Sequence, residues 1–254
     1  MLENQQNNPG HRRGPSEDPF ERFLASERLE SNPMHLPLFP LNVVLFPGMM
    51  LPLHIFEPRY LEMIDYCVEN KSPFGVVLIQ EGQEVGGLVT PHTVGTMARV
   101  TKRKQEDDGR LHILAAGAQR FKIDSLDRSR AYLSGTVSPL PIANGNTRKA
   151  FELTQQMRPQ LLEYVTALSE ASNAKMQLDR LPEDPKMMAY MVAIALQIGN
   201  DEKQRLLEMN RVPELLAREH YLISRETLLT RFMADTQPAV QQMGGGPTGY
   251  IFPN

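Results

Sequence analysis

From Leu36 to about Pro139 the apolar residues either alternate with polar ones or come in short unbroken runs; from Phe151 to Met233 they return every third or fourth position. The first pattern predicts strands and the second predicts helices. Leu36 to Leu45 and Met50 to Ile55 read as strands separated by the turn Phe46-Pro47-Gly48. Pro37, Pro40 and Pro52 cannot donate to a ladder, so these strands belong at an edge or a bulge, as at the rim of a small barrel. Glu57-Pro58 opens a helix that runs to about Asn70 and buries Tyr60, Leu61, Ile64, Cys67 and Val68 on one face. Phe74 to Ile79, Val94 to Thr101, a charged hairpin tip at Gln105 to Gly109, then Leu111 to Ala115, Phe121 to Asp124 and Tyr132 to Pro139 complete about seven strands. The expected fold class is α+β: a mostly antiparallel β-barrel with one inserted helix, followed by a carboxyl-terminal α-helical bundle.

Strand patterning ends in the Pro/Gly/Asn-rich segment Pro139 to Asn146. Beyond it, Phe151, Thr154, Met157, Leu161, Val165 and Leu168 trace one helix stripe, with a kink expected at Pro159. Asp184-Pro185 caps and opens an apolar helix ended by Gly199, Asn200 caps a short one, and Pro213 opens a long one. The expected divisions are a disordered lead-in over 1–18, a barrel domain over 19–140 whose first residues Pro19 to Leu29 form a short docking helix, a bundle over 147–235, and a flexible tail over 236–254.

Charge narrows the functional classes. With 27 basic and 30 acidic residues the net charge is -3, too small and of the wrong sign to gather nucleic acid or anionic lipid, so neither partner is expected. The amino-terminal residues are polar and lack the apolar core of a secretory signal, and no apolar run approaches the ~20 residues of a membrane span. A lone cysteine, Cys67, suits a reducing cytoplasm. Its helical neighbours predict a small buried hydrophobe, and a nucleophile would need a histidine brought from elsewhere in the fold. The histidines at 11, 35, 54, 92, 112 and 220 include no pair at ligand spacing, so no metal and no cofactor are expected. Nothing resembles a nucleophile elbow, and the chain reads as a non-enzyme.

What remains is a binding surface. Phe46, Met49 and Met50 flank a Pro-Gly turn and cannot all follow the alternation that would bury them; methionine adapts to varied partners. Arg59 lies in a first helical turn, where the dipole disfavours a cation, so a carboxylate partner or a ligand must offset it. Lys102, Arg103 and Lys104 approach the acidic hairpin tip as a ligand-steering run or a solvated turn. Arg120 is set opposite Phe121, away from the core or into the barrel mouth. The candidate peptide-binding set is Phe46, Met49, Met50, His54, Arg59 and Arg120.

The run Leu36-Pro37-Leu38-Phe39-Pro40-Leu41, then Val43-Val44-Leu45-Phe46-Pro47-Gly48 and Leu51-Pro52-Leu53-His54-Ile55-Phe56-Glu57-Pro58-Arg59-Tyr60, resembles the start of the Lon protease amino-terminal domain. The similarity continues through Val94-Gly95-Thr96, Gly117-Ala118-Gln119-Arg120-Phe121-Lys122-Ile123 and Glu202-Lys203-Gln204-Arg205-Leu206-Leu207-Glu208, covering about residues 35 to 233. It implies a PUA-like barrel followed by helices, and a role in recognising protein substrates or partners; the first reading is a module that holds unfolded or extended protein segments, as an adaptor for proteolysis machinery or a holdase-like factor. The chain contains no G-x-x-x-x-G-K-[ST] phosphate loop, so it is expected to act without the family's motor and protease. The alternative is an enzyme or small-ligand binder using the cleft between barrel and bundle; a structural subunit is a third reading.

Overall fold

A computed structural model describes residues 32–84, 89–172, 174, 178 and 180–242. The expected lead-in over 1–18, the short helix over 19–29 and the glycine-rich end of the tail lie outside them. Seven strands form one sheet: β1 (Met34–Leu41), β2 (Met50–Ile55), β3 (Phe74–Glu81), β4 (Thr90–Pro91), β5 (Val94–Gln105), β6 (Leu111–Asp127) and β7 (Ser134–Pro139). Their neighbours run β1-β7-β6-β5-β3-β4, and a further pairing of β1 with β3 brings the path back to its start. That pairing is parallel, Leu38 opposite Gly75 through Leu41 opposite Leu78, whereas every other ladder is antiparallel. The sheet is therefore mostly antiparallel and closed by one parallel seam.

Between β2 and β3 lies α1 (Pro58–Glu69), opened by Pro58 after the extended cap residue Glu57. Proline at this position forfeits no helical bond. Its buried residues Tyr60, Met63, Ile64 and Cys67 pack with Phe39, Leu51, Ile55, Phe74, Leu111 and Ile113, so α1 plugs one side of the strands it interrupts. Phe39 and Tyr60 stack with ring centroids 4.2 Å apart. Burial pushes the Cys67 thiol up to about 11, and its S–H donates weakly to the Pro73 carbonyl, so it acts as an inert part of this core.

Four helices follow: α2 (Arg148–Ser172), α3 (Pro185–Ala195), α4 (Asn200–Glu208) and α5 (Val212–Gln242). α2 runs on through Pro159, where the sequence predicts a kink. Asp184 caps α3 as expected, its carboxylate accepting from the Met187 N–H at 2.9 Å. Two boundaries differ from expectation. α3 stops at Ala195, and Gly199 rather than Asn200 is the cap residue of α4, because Gly199 takes the extended conformation and its carbonyl accepts from Glu202 and Lys203. The final helix also continues to Gln242, past the expected start of a tail at 236. The connection after β7 is tied to the helices: the Ala143 N–H donates to the Asn210 carbonyl and the Val212 N–H to the Ala143 carbonyl.

The helices meet the sheet through one continuous apolar cluster, in which Val44, Phe46, Leu78 and Val94 pack with residues of all four helices. Into this joint the fold places charges. Arg120 of β6 is 1 % exposed, and its guanidinium donates to the carbonyls of Leu207 and Met209 at 2.5 and 2.6 Å, at the carboxyl end of α4. Lys203 of α4 donates in turn to the Ala193 and Ile194 carbonyls at the carboxyl end of α3, and lies 5.7 Å over the Phe46 ring. Each cation thus answers a helix end whose carbonyls lack partners and whose dipole is negative. Burial brings Lys203 down to about 8, opposed by the Glu219 carboxylate, and lowers Arg120 against the raising influence of Tyr190. Glu219 is fully buried, both its oxygens are without a hydrogen-bond partner among the described residues, and burial raises its pKa well above the ordinary range.

Two consequences are measurable. Arg120→Ala strands the Leu207 and Met209 carbonyls inside the joint, and a loss of about 3 kcal/mol or more is expected in denaturant unfolding; a loss under ~1 kcal/mol would show the joint does not depend on it. Glu219 binds its proton more tightly folded than unfolded. Its contribution is therefore fully present below pH ~4.5 and is lost as pH rises toward the raised folded value. Glu219→Gln should be more stable than the parent at neutral pH, by an amount that grows with pH above ~4.5, and the two proteins' stability curves should converge in acid.

Candidate functional site

The loop between β1 and β2 is held by β6. Gly48, at φ +85°, turns the chain, its N–H donates to the Gly117 carbonyl at 2.7 Å, and the Gly117 N–H donates to the Met49 carbonyl at 2.9 Å. A side chain at position 117 would place its Cβ 2.3 Å from the Phe46 carbonyl oxygen, so only glycine permits this approach. Phe46 itself points into the joint and is 0 % exposed. It is therefore not an accessible contact for a peptide, contrary to the sequence-based expectation, because the helices supply the apolar environment that the strand alternation alone does not. Met49 is partly buried and packs against both neighbouring clusters, while Met50 is 46 % exposed.

From Met50 onward the pattern is regular. Met50, Pro52, His54 and Phe56 are exposed, and Leu51 and Ile55 between them are buried. Opposite them on β6 stand Ala116, Leu114 and His112. Pro52 has no N–H, so its pair with Leu114 is a non-hydrogen-bonded one, and by alternation so are Met50 with Ala116 and His54 with His112. Side chains approach closest in such pairs, and the His54 and His112 rings stack at 4.3 Å with 2° between planes. Phe56 meets His54 edge-on at 6.2 Å. It follows that the Met50 and His54 N–H groups and the Met50, Pro52 and His54 carbonyls face away from β6. β2 pairs with β6 alone among the described strands, so this outward edge has no partner strand.

The other expected contacts resolve differently. Arg59 is half-buried against Glu57, its Nε and Nη2 at 3.0 and 2.9 Å from one carboxylate oxygen, and lies 4.5 Å over the Tyr60 ring. Glu57 thereby offsets a cation in the first helical turn. Arg120 is withdrawn into the joint, a correction to its place in the peptide-binding set: β6 turns its side chain toward α4, whose terminal carbonyls attract it. Phe56 was missing from that set although it continues the alternation of 50, 52 and 54. The cleft between sheet and helices is a cavity of about 200 Å³ lined by Pro47, Gln119, Arg120, Lys186 and Tyr190. There Nη1 of Arg120 donates to main-chain carbonyls while its Nε and Nη2 are buried without a hydrogen-bond partner among the described residues, and no nucleophile paired with a base is among the lining residues. Among the described residues no group of three or more His, Cys, Asp and Glu side chains is arranged to hold a metal, and no helix is long and apolar enough to cross a membrane.

A mostly antiparallel sheet carrying one inserted helix and a set of carboxyl-terminal helices is the architecture of Lon amino-terminal domains. The crystal structure of a Lon N-terminal domain protein from Xanthomonas campestris superposes with a TM-score of 0.56 at 24 % identity, covering 73 % of this chain and 96 % of that one. The N-terminal domain of Lon protease from the Mycobacterium avium complex gives 0.60 at 21 % identity, covering 75 % and 98 %. The family model for the ATP-dependent protease La (LON) substrate-binding domain matches residues 35–225, and the chain belongs to that family. Lon protease of Parabacteroides distasonis is 29 % identical over 209 residues, which are 80 % of this chain and 25 % of that protein. Lon protease of Anaeromyxobacter dehalogenans is 28 % identical over 204 residues, 76 % and 24 % respectively. The chain thus spans about a quarter of the length of the relatives it matches.

The two methionines at the turn should separate on truncation. Met49→Ala removes packing shared by two clusters and is expected to cost about 2 kcal/mol, whereas Met50→Ala should fall within ~0.5 kcal/mol of the parent. Equal melting temperatures for the two variants would contradict this assignment.

Proposed function

We propose that this chain is a non-catalytic module that holds extended, apolar segments of other proteins by strand addition at the outer edge of β2. Family membership supports the general role of substrate recognition. One observation carries the finer reading: β2 offers an unpaired edge beside an exposed row of Met50, Pro52, His54 and Phe56. An incoming strand would meet main-chain groups that read no sequence and side chains that favour apolar or aromatic neighbours. Met49, packed against both apolar clusters, anchors the turn from which this row starts. Such a module suits an adaptor that passes clients to proteolysis machinery, or a holdase-like factor of the cytoplasm.

The test removes a single donor. His54→Pro deletes an outward N–H while leaving the ladder to β6 intact, since its neighbour Pro52 already occupies the equivalent phase. Fluorescence anisotropy with a labelled apolar peptide of extended propensity should show binding weakened at least ~10-fold, with the melting temperature close to that of a His54→Ala control. Binding by His54→Pro as tight as by the control would remove the β2 edge from consideration.

A further inference from the structure

The cavity between sheet and helices is lined from β6 by Gln119 and Arg120, and from α3 by Lys186 and Tyr190. Lys186 and Tyr190 are four residues apart on α3 and so share one face of it. Exposure falls steeply across these groups: Lys186 is exposed, Tyr190 is 5 % exposed and Arg120 is 1 % exposed. The cavity therefore has one cation at its open side and a second at its depth, and none of the residues lining it is acidic.

The clamp on α4 leaves most of the Arg120 donors unused. A guanidinium carries five N–H groups. Nη1 directs its two at the Leu207 and Met209 carbonyls. The other three, one on Nε and two on Nη2, are buried without a hydrogen-bond partner among the described residues. The Tyr190 phenol stands beside the guanidinium, and were its oxygen to accept one of the three, two would still be unmet. No carboxylate pairs with Arg120 among the described residues, and Glu219 acts on Lys203 and Tyr190. The end of α4 offsets about half of one positive charge, so open donors, and not an excess of charge, mark the site. Buried charged donors without acceptors are among the least favourable groups a fold can hold, and the described chain supplies no acceptor for these.

We infer that this cavity is a binding site for a carboxylate, held side-on by the Nε and Nη2 edge of Arg120 and approached past Lys186. The Nε–H and one Nη2–H of a guanidinium point the same way, at the spacing of two carboxylate oxygens, so one carboxylate accepts from both at once. A halide or a water meets only one of them well. At about 200 Å³ the cavity is smaller than the ~300–1,000 Å³ of pockets for drug-sized ligands, so it admits a small organic acid or the last residue of a polypeptide. Nε and Nη2 are closed to bulk water, so the acid reaches them as lining side chains shift, a change of the scale usual at binding surfaces. The assignment does not rest on the β2 edge, which pairs with the other half of β6.

Isothermal titration of the full chain at fixed ionic strength compares acetate with acetamide, which has the same shape and no charge. Acetate should bind at least ~10-fold tighter, and Lys186→Gln should weaken acetate ~3-fold or more with an unchanged melting temperature. Arg120→Lys keeps a cation but loses the fork, so its preference for acetate over acetamide should vanish. Because that variant risks unfolding the joint, the parent supplies a second readout. In ¹⁵N spectra, one of the arginine Nε–H signals protected from exchange with solvent should move on addition of acetate and stay in place with acetamide. Equal binding of the two ligands, or protected Nε–H signals that acetate leaves unmoved, would overturn the inference. Two forms of one short peptide, ending in a free carboxylate or in an amide, separate the sources. A free end that binds at least as tightly as acetate, and loses that binding on amidation, assigns the site to chain termini; acetate binding with no difference between the peptides assigns it to small acids. His54→Pro should bind acetate as the parent does, so loss of the β2 edge and loss of this site are read apart.

Discussion

The guanidinium of Arg120, closed over the last carbonyls of α4, is the constraint from which the arrangement of sheet and helices follows. Apolar packing between a sheet and helices is non-directional and tolerates sliding. A buried cation with two specific carbonyl acceptors does not, because any displacement leaves charge and carbonyls unpaired in a medium that punishes both. Arg120 lies in the half of β6 flanked by β5 and β7, so the helices are fixed over that end of the strand. The other half, Leu111 to Ala116, carries β5 on one side and β2 on the other, away from the joint. The position of one side chain thus decides which edges are covered and which are left free.

The remaining polar groups in the joint repeat this logic at smaller scale. Lys203 links α4 to α3 through the Ala193 and Ile194 carbonyls, and the Gln204 amide donates to the Val94 carbonyl of β5 at 3.0 Å. Sheet, α4 and α3 are therefore joined in series by side chains that each terminate on main-chain oxygen. Glu219 is the exception. It lies near Lys203 and Tyr190 without a hydrogen bond to either oxygen, so it opposes the desolvation of Lys203 electrostatically while bearing a desolvation cost of its own. The series fixes geometry at the expense of stability.

Much of this was legible in the residues, and the exceptions share a cause. Strand alternation, the prolines at 37, 40 and 52, the Glu57-Pro58 helix start and the Asp184 cap are local signals, and each acts through neighbours a few residues away. Closure by the parallel β1 and β3 seam was not legible, since it pairs segments whose patterns look alike whichever neighbour they choose. Phe46 and Arg120 were misplaced for the same reason: a Phe beside a Pro-Gly turn and an Arg at a strand's polar phase are surface residues in the absence of the helices that cover them. Their partners, Lys203 and the Leu207 and Met209 carbonyls, lie more than eighty residues on. Phe56 could have been found, because it keeps the parity of Met50, Pro52 and His54, but the adjoining Glu57-Pro58 signal drew it into the helix start.

An exposed edge strand is a liability, and β2 carries restraints that bear on how it would hold a client. Pro52 stands at the middle of the outward phase, leaving two N–H groups and three carbonyls for an incoming strand. At about 0.5–1.5 kcal/mol net for each hydrogen bond, and after the cost of ordering a flexible segment, main-chain pairing alone gives an association in roughly the millimolar range or weaker. That is too weak to seed an indefinitely growing sheet and weak enough to release. Affinity must then come from side chains flanking the edge, and there Met50 and Phe56 present adaptable and aromatic surface without demanding a particular partner.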